Sequence, residues 1–378
     1  MSTTGSNRQI VEFRENPSRA LFIKREIDYS LFKELLPEII ALRGQGRGPI
    51  CLYLDSGGGD VFFANLITNL IRCPNQDGEK CKLITVASGF VASAAADMLA
   101  LGDYAIAYPF SQIYYHGTRQ QDNEITLEKI PFLAESLRAT NEQFAFRLAG
   151  RMFRRMVFHV LALTESVPKK SAALLFEQSK IDKFISILKE KLSDQPELLK
   201  NTEAKQRKFR ELIASLRAGS GIDANDQPGL FKHLLDLEFQ RNPAGPLTAL
   251  LPLIEDDYAQ VRDFFFGKYQ RDLASIISQT GRNLMMPQEV EALKEEEKKG
   301  PQEARKFVTK TVSPRLEPLW VFVVSLCRSL QEGEYPLSPV EAFWAGLVDE
   351  VLGEKLHCLR AVSEAAVALS STGGTAES

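Results

Sequence analysis

Between Leu21 and His116, short apolar runs alternate with amphipathic segments. The stretch "ALFIKREI" reads as a strand, "YSLFKELLPEIIALRG" as a helix with apolar positions three and four apart, and "PICLYLD" as a buried strand. "VFFANLITNLIRC" is helical again and "KLITVAS" a strand. "VASAAADMLAL" is a helix, and "YAIAYP" and "SQIYYHG" are two further strands. Strands that alternate with helices predict an α/β layer with parallel pairing.

From about Ile125 to Leu330 the pattern changes to helical periodicity, interrupted by the turn-forming stretches "ESVPKK", "AGSGIDANDQPG" and "NPAGP". "VRDFFFGKYQRDLASIISQ" carries apolar residues at helical spacing, and "EVEALKEEEKKG" reads as a charged, exposed helix. Arg147, Arg151 and Arg155 fall at i, i+4 and i+8, which predicts a solvated stripe or a docking surface for acidic groups. Near the end, "LSPVEAFWAGLVDEVL" predicts a capped helix, with Ser338 as N-cap, Pro339 at the first helical position and Glu341 closing the capping box. The tail "SSTGGTAES" is expected to be disordered.

Composition narrows the functional classes. The 378 residues are 44% hydrophobic and 25% charged, enough for a full core and for two domains or one domain with a large insertion. A formal net charge of -3 gives no electrostatic case for a nucleic-acid partner or an anionic membrane. The N-terminus lacks an apolar signal region, and no stretch reaches the ~18 apolar residues of a membrane helix, so a cytoplasmic location is expected. Cys51, Cys73, Cys81, Cys327 and Cys358 form no CxxC pair and read as reduced thiols. His116, His159, His233 and His357 lie far apart in the chain, and no metal site is expected.

Two stretches carry candidate chemistry. In "CLYLDSGGGDVFF" a buried strand runs through Asp55 and Ser56 into Gly57, Gly58 and Gly59, and a helix follows. Such a turn presents N–H groups beside a helix start, the makings of an anion or oxyanion site. Neither GxGxxG nor a GK[ST] phosphate loop is present there, and "RGQGRGP" lies between a helix and a strand, the wrong order for phosphate. In "TVASGFVASAAADML", Ser93 stands among alanines at or near a helix start. It is either a core serine bonded to a carbonyl one turn back or a nucleophile beside free N–H donors, among them that of Ala94. His116 closes a later strand, where a base could meet Ser93.

The order of these segments resembles the proteolytic subunit of Clp protease and its relatives in the Clp/crotonase fold. "LYLDSGGGDV" is similar to the family's strand and glycine loop, and "ASGFVASAAADMLALG" to its GxxAS nucleophile segment. "YPFSQIYYHG" resembles its base segment, and "LSPVEAFWAGLVDEV" its closing L-S-x-x-E-A-x-x-x-G-L-V-D segment. The resemblance covers about residues 20 to 160 and 317 to 355. It implies an α/β core of repeated ββα units and a serine endopeptidase without cofactor or metal. Ser93 would be the nucleophile, His116 the base, and the N–H groups of Gly58 and Ala94 the oxyanion donors. It further implies a peptide or unfolded-protein substrate, assembly into homo-oligomeric rings, and in many members an AAA+ ATPase or other regulatory protein as partner.

Three departures from the family pattern stand out. Gly57 replaces the family's proline before its two glycines, and Glu334 stands where the family has the acidic triad member, with Glu332 as a fallback. Glu can orient a histidine as Asp does, though its extra methylene shifts the geometry. Third, about two hundred residues separate His116 from Glu334, where the family has a single handle helix and a short return. The expected organisation is therefore an N-terminal segment 1–20, a Clp-like core with handle over 21–164 and 316–360, an all-helical insertion over 165–315, and a disordered tail over 361–378. Two other classes fit parts of the pattern. One is a catalytically inactive or partner-regulated scaffold acting through the insertion, supported by Gly57 and Glu334. The other is a crotonase-type acyl-CoA enzyme, against which the serine and histidine pair argues.

Overall fold

A computed structural model describes residues 15–75, 78, 80–120, 125–165, 178–218, 285, 287–354 and 356–357. The expected tail, the helical reading of "VRDFFFGKYQRDLASIISQ" and the start of the N-terminal segment lie outside the described residues. The chain divides into two compact units. The first comprises Met1–Ile113, Arg155–Leu163 and Ser338–Ser378, and the second Tyr114–Arg154 and Thr164–Leu337.

In the first unit, strands β1 (Ala20–Ile23), β2 (Ile50–Ser56), β3 (Leu83–Ala92), β4 (Tyr104–Ala107), β7 (Glu350–Val351) and β8 (Leu356–His357) lie side by side in that order. β1 to β4 and β7 are parallel neighbours, and β8 closes the edge antiparallel to β7. Near-continuous burial along β2 and β4 is what a parallel sheet covered on both faces requires. Helix α1 (Tyr29–Gly44) begins where Asp28 accepts the Leu31 N–H at 2.7 Å, and α2 (Val61–Arg72) where Asp60 accepts the Phe62 N–H at 2.7 Å. α3 is Ala94–Ala100 and α9 is Pro339–Trp344. The capping box at α9 is formed as expected, with both the Ser338 and the Glu341 side chain bonded to the other residue's N–H.

Two sequence expectations change here. "KLITVAS" was expected to end the third strand near Ser88, but β3 continues through Ala92 because Ser56 pairs with Val91 beyond a bulge at Leu54/Ser56. The expected arginine stripe also fails as a surface. Arg155 is fully buried, and Arg147 and Arg151 are half-buried. The Arg155 guanidinium donates to Asp349 Oδ2 at 2.9 Å, to the carbonyls of Ala100 and Gly102 behind α3, and to those of Gly346 and Leu347 behind α9. One planar cation thus closes the carboxyl ends of two helices, whose last carbonyls have no partner within the helix. Asp349, also fully buried, accepts the Ala105 N–H at 2.8 Å and so ties the same cation to β4.

The second unit holds Tyr114–His116 of β5 (Gln112–His116), whose first two residues belong to the first unit, pairs β5 with β6 (Glu334–Leu337), and is otherwise helical among the described residues. Its helices are α4 (Lys129–Glu165), of which Arg155–Leu163 belong to the first unit, α5 (Gln178–Lys191), α6 (Pro196–Ala218), α7 (Pro287–Lys299) and α8 (Pro301–Leu330). α8 is the hub, touching α5, α6 and α7. Phe153 of α4 meets Trp320 of α8 edge to face at 5.3 Å, and Arg328 covers the Phe146 ring at 5.3 Å. α7 carries Lys294, Lys298 and Lys299, each paired with the glutamate three residues earlier, as its solvated composition predicts.

Candidate active site

The glycine loop leaves β2 at a bulge and is fastened from two sides. Ser56, buried, donates its hydroxyl to the Arg25 carbonyl at 2.6 Å and accepts the Gly58 N–H at 3.1 Å. The loop after β1 then grips the glycines by backbone alone: Ile27 N–H donates to Gly58 O at 2.8 Å, and Asp60 N–H to Ile27 O at 2.7 Å. Gly58 has φ +98°, a conformation that disfavours any residue with a Cβ. A Cβ there would stand 2.6 Å from Ser93 Cβ, 2.7 Å from Ala92 O and 3.0 Å from Ala94 N. The missing side chain of Gly58 is what lets the loop lie against the serine.

Ser93 is the only non-glycine among the described residues with positive φ, at +54°. Strain of this kind costs ~1–3 kcal/mol and persists only where the surroundings enforce it. Here β3 ends at Ala92, α3 starts at Ala94, and Ala94, Ala95 and Ala96 are buried while Ser93 is half-exposed. Ser93 occupies the N-cap position yet makes no side-chain capping bond, so its hydroxyl is not consumed by the helix start. A sharp strand-to-helix turn that presents a serine hydroxyl is the shape of a nucleophile elbow. The buried-helix alternative for Ser93 therefore does not hold.

His116 ends β5 in the second unit. Its Nδ1 lies 2.7 Å from the carbonyl of Gly117, a contact that Nδ1–H can make as donor. Glu334 does not reach this ring. Its carboxylate accepts the Tyr114 hydroxyl at 2.8 Å and pairs with Arg119, and it is largely exposed. The Tyr114 pKa is raised, first by that hydrogen bond. Glu332, the fallback, pairs with Lys205. β6 places Glu334 on an exposed position beside β5, but the neighbouring tyrosine and arginine take both of its oxygens.

The expected oxyanion donors divide. The Ala94 N–H has no partner among the described residues, as a donor group requires. The Gly58 N–H is directed to Ser56 Oγ, while that of the next residue, Gly59, has no partner among the described residues. Sequence spacing could not distinguish these two amides, since the difference comes from the buried Ser56 hydroxyl. The sequence named Asp55 only as part of the strand before the glycines, without its role. Its Oδ1 accepts the Phe90 N–H at 2.9 Å and so shapes β3 just before Ser93.

Among the described residues no group of three or more His, Cys, Asp or Glu side chains gathers as metal ligands. No helix among them is long and apolar enough to cross a membrane. The strand, the glycine loop and the positive-φ serine come together on a mostly parallel α/β sheet. Residues 8–151 match the family described as Clp protease. That match supports a peptidase-type domain over this span. The match ends inside α4 and does not extend to α5 through α9 or to Glu334. No curated protein matches the chain.

Proposed function

We propose that the chain is a Clp-type serine endopeptidase with Ser93 as nucleophile and His116 as general base. The observation that carries this reading is Ser93 itself: a positive-φ serine with an uncapped hydroxyl, pressed against Gly58. Ser93 Oγ attacks the peptide carbonyl while His116 Nε2 takes its proton. The tetrahedral oxyanion receives the Ala94 N–H and one amide of the glycine loop. That amide is Gly58, which abuts Ser93, once its bond to Ser56 is exchanged. Collapse breaks the C–N bond, the amine leaves with the proton from His116, and water then hydrolyses the acyl-enzyme by the reverse proton path.

The orienting role falls to the Gly117 carbonyl, 2.7 Å from His116 Nδ1, without the negative charge that a carboxylate brings to the imidazolium. Peptides or unfolded chains are the substrates, and homo-oligomeric assembly with an AAA+ ATPase or other regulatory partner follows the family. The span 165–315 is assigned to a helical insertion. One set of observations favours a second reading, a resting or partner-regulated form. The Gly58 amide is held by Ser56, and Glu334 is held by Tyr114 and Arg119. Treatment with a small fluorophosphonate separates the two, since an active enzyme is labelled and Ser93→Ala is not. A protein labelled in neither form, with or without added partner, is a scaffold.

A further inference from the structure

Asn141 lies in the interior of α4, where asparagine is a poor helix former whose side chain competes for backbone partners. Here it serves the turn that follows β5. Asn141 Oδ1 accepts the Thr118 N–H at 2.8 Å. That N–H belongs to the same peptide unit as the Gly117 carbonyl, whose oxygen lies 2.7 Å from His116 Nδ1. A trans peptide is planar, with its N–H and C=O pointing to opposite sides, so a bond that fixes one end aims the other. The turn is gripped at Gly117 as well. A Cβ there would stand 2.5 Å from the Gln331 carbonyl oxygen at the end of α8 and 3.2 Å from Asn141 Nδ2, so the missing side chain lets both helices close on this peptide.

We propose that Asn141 is a positioning residue for the base: through one peptide unit it aims the Gly117 carbonyl at His116 Nδ1. The proposal rests on His116 as the general base. A carbonyl that takes Nδ1–H leaves Nε2 with the lone pair, which is the form that accepts the serine proton. Hydrogen bonds in a chain polarise one another, so a stronger acceptor at position 141 makes the Gly117 oxygen a better partner for the imidazolium. The acid beside β5 does not supply this, because Glu334 is bound to Tyr114 and Arg119. The charged and titratable groups about the turn are Tyr114, whose ring centroid lies 6.0 Å from that of His116, Arg119 after β5, Arg138 on α4, Glu334 on β6, and Glu332 with Lys205 of α6. All of them are kept when Asn141 alone is changed.

The test is the pH dependence of fluorophosphonate labelling in the full chain. Asn141→Leu, close in size but without an acceptor, should label roughly 10- to 100-fold more slowly, as a base held out of place does. Its midpoint should fall, because the imidazolium loses an aimed partner. Asn141→Asp keeps the acceptor and adds a charge, so its plateau rate should stay within about threefold of the wild type while the midpoint rises. An Asn141→Leu protein with the wild-type rate and midpoint overturns the proposal. So do Asn141→Leu and Asn141→Asp slowed alike at an unmoved midpoint, the mark of a purely structural contact. If Asn141→Leu does not fold, the Asn141→Asp midpoint decides alone: raised, it supports the proposal, and unmoved, it overturns it. Equal labelling of wild type and His116→Ala would overturn His116 as the base without any Asn141 variant, so the two failures are told apart.

Discussion

Replacing Gly58 by alanine puts the site's geometry under the sharpest test. At φ +98° an L side chain carries strain of ~1–3 kcal/mol. The new Cβ would also meet Ser93 Cβ at 2.6 Å, Ala92 O at 2.7 Å and Ala94 N at 3.0 Å. All three contacts are with the elbow, two of them with its backbone, so either the loop or the elbow must move by several tenths of an ångström. A displacement near 1 Å at a reacting centre costs about 100-fold in rate. Gly58→Ala should therefore lower the second-order rate of fluorophosphonate labelling by about that factor, with ~2–4 kcal/mol lost in urea unfolding. Gly57→Ala is the internal control. Its φ is not positive, and the added Cβ would meet only Phe90 Cε1 at 4.0 Å. It should keep stability and gain up to ~1 kcal/mol from reduced freedom of the unfolded chain. If Gly58→Ala labels and unfolds as the wild type does, the glycine loop does not shape the serine elbow.

Other expectations follow from single contacts. Arg155→Met leaves Asp349 buried and unpaired and should cost ~3–5 kcal/mol in urea unfolding, whereas a loss below ~1 kcal/mol would mark the pair as energetically idle. Glu334→Gln should leave the labelling rate within about twofold, because the carboxylate serves Tyr114 and Arg119. A fall comparable to that of His116→Ala would restore Glu334 to the triad. The Tyr108 pKa is pushed up to about 12 by burial first and then by its hydrogen bond to Glu15. The folded form holds this proton where the unfolded chain, with a tyrosine pKa near ~10, has lost it. The stabilisation is thus complete below about pH 10 and disappears between there and about pH 12. Ultraviolet titration of the wild type against Tyr108→Phe should show one late-ionising tyrosine fewer in the variant. Removal of an early-ionising one instead would contradict this.

Much of the first unit was legible because its signals are local. Alternation of apolar runs located β1, β2, β4 and β5 and helices α1 and α2, and Ser338, Pro339 and Glu341 announced α9 by capping chemistry alone. Ser93 and the glycine loop were visible as small residues between strand and helix, although the strain at Ser93 was not. Long-range contacts were hidden. Periodicity placed Arg147, Arg151 and Arg155 on one helix face without saying what that face meets, and Arg155 meets two helix ends and a buried aspartate. The family resemblance nominated Glu334 as the acid. Only the fold shows Tyr114 and Arg119 already bound to it. The same holds for the amides of Gly58 and Gly59, identical in sequence terms and separated by one serine hydroxyl.

The claim beneath all of these is that Ser93 Oγ is the atom that becomes acylated. Fluorophosphonate-treated protein, digested and mapped by mass spectrometry, should carry one adduct on Ser93, absent from Ser93→Ala and strongly reduced in His116→Ala. An adduct on Ser56 or Ser88, or equal labelling of wild type and Ser93→Ala, would contradict the account.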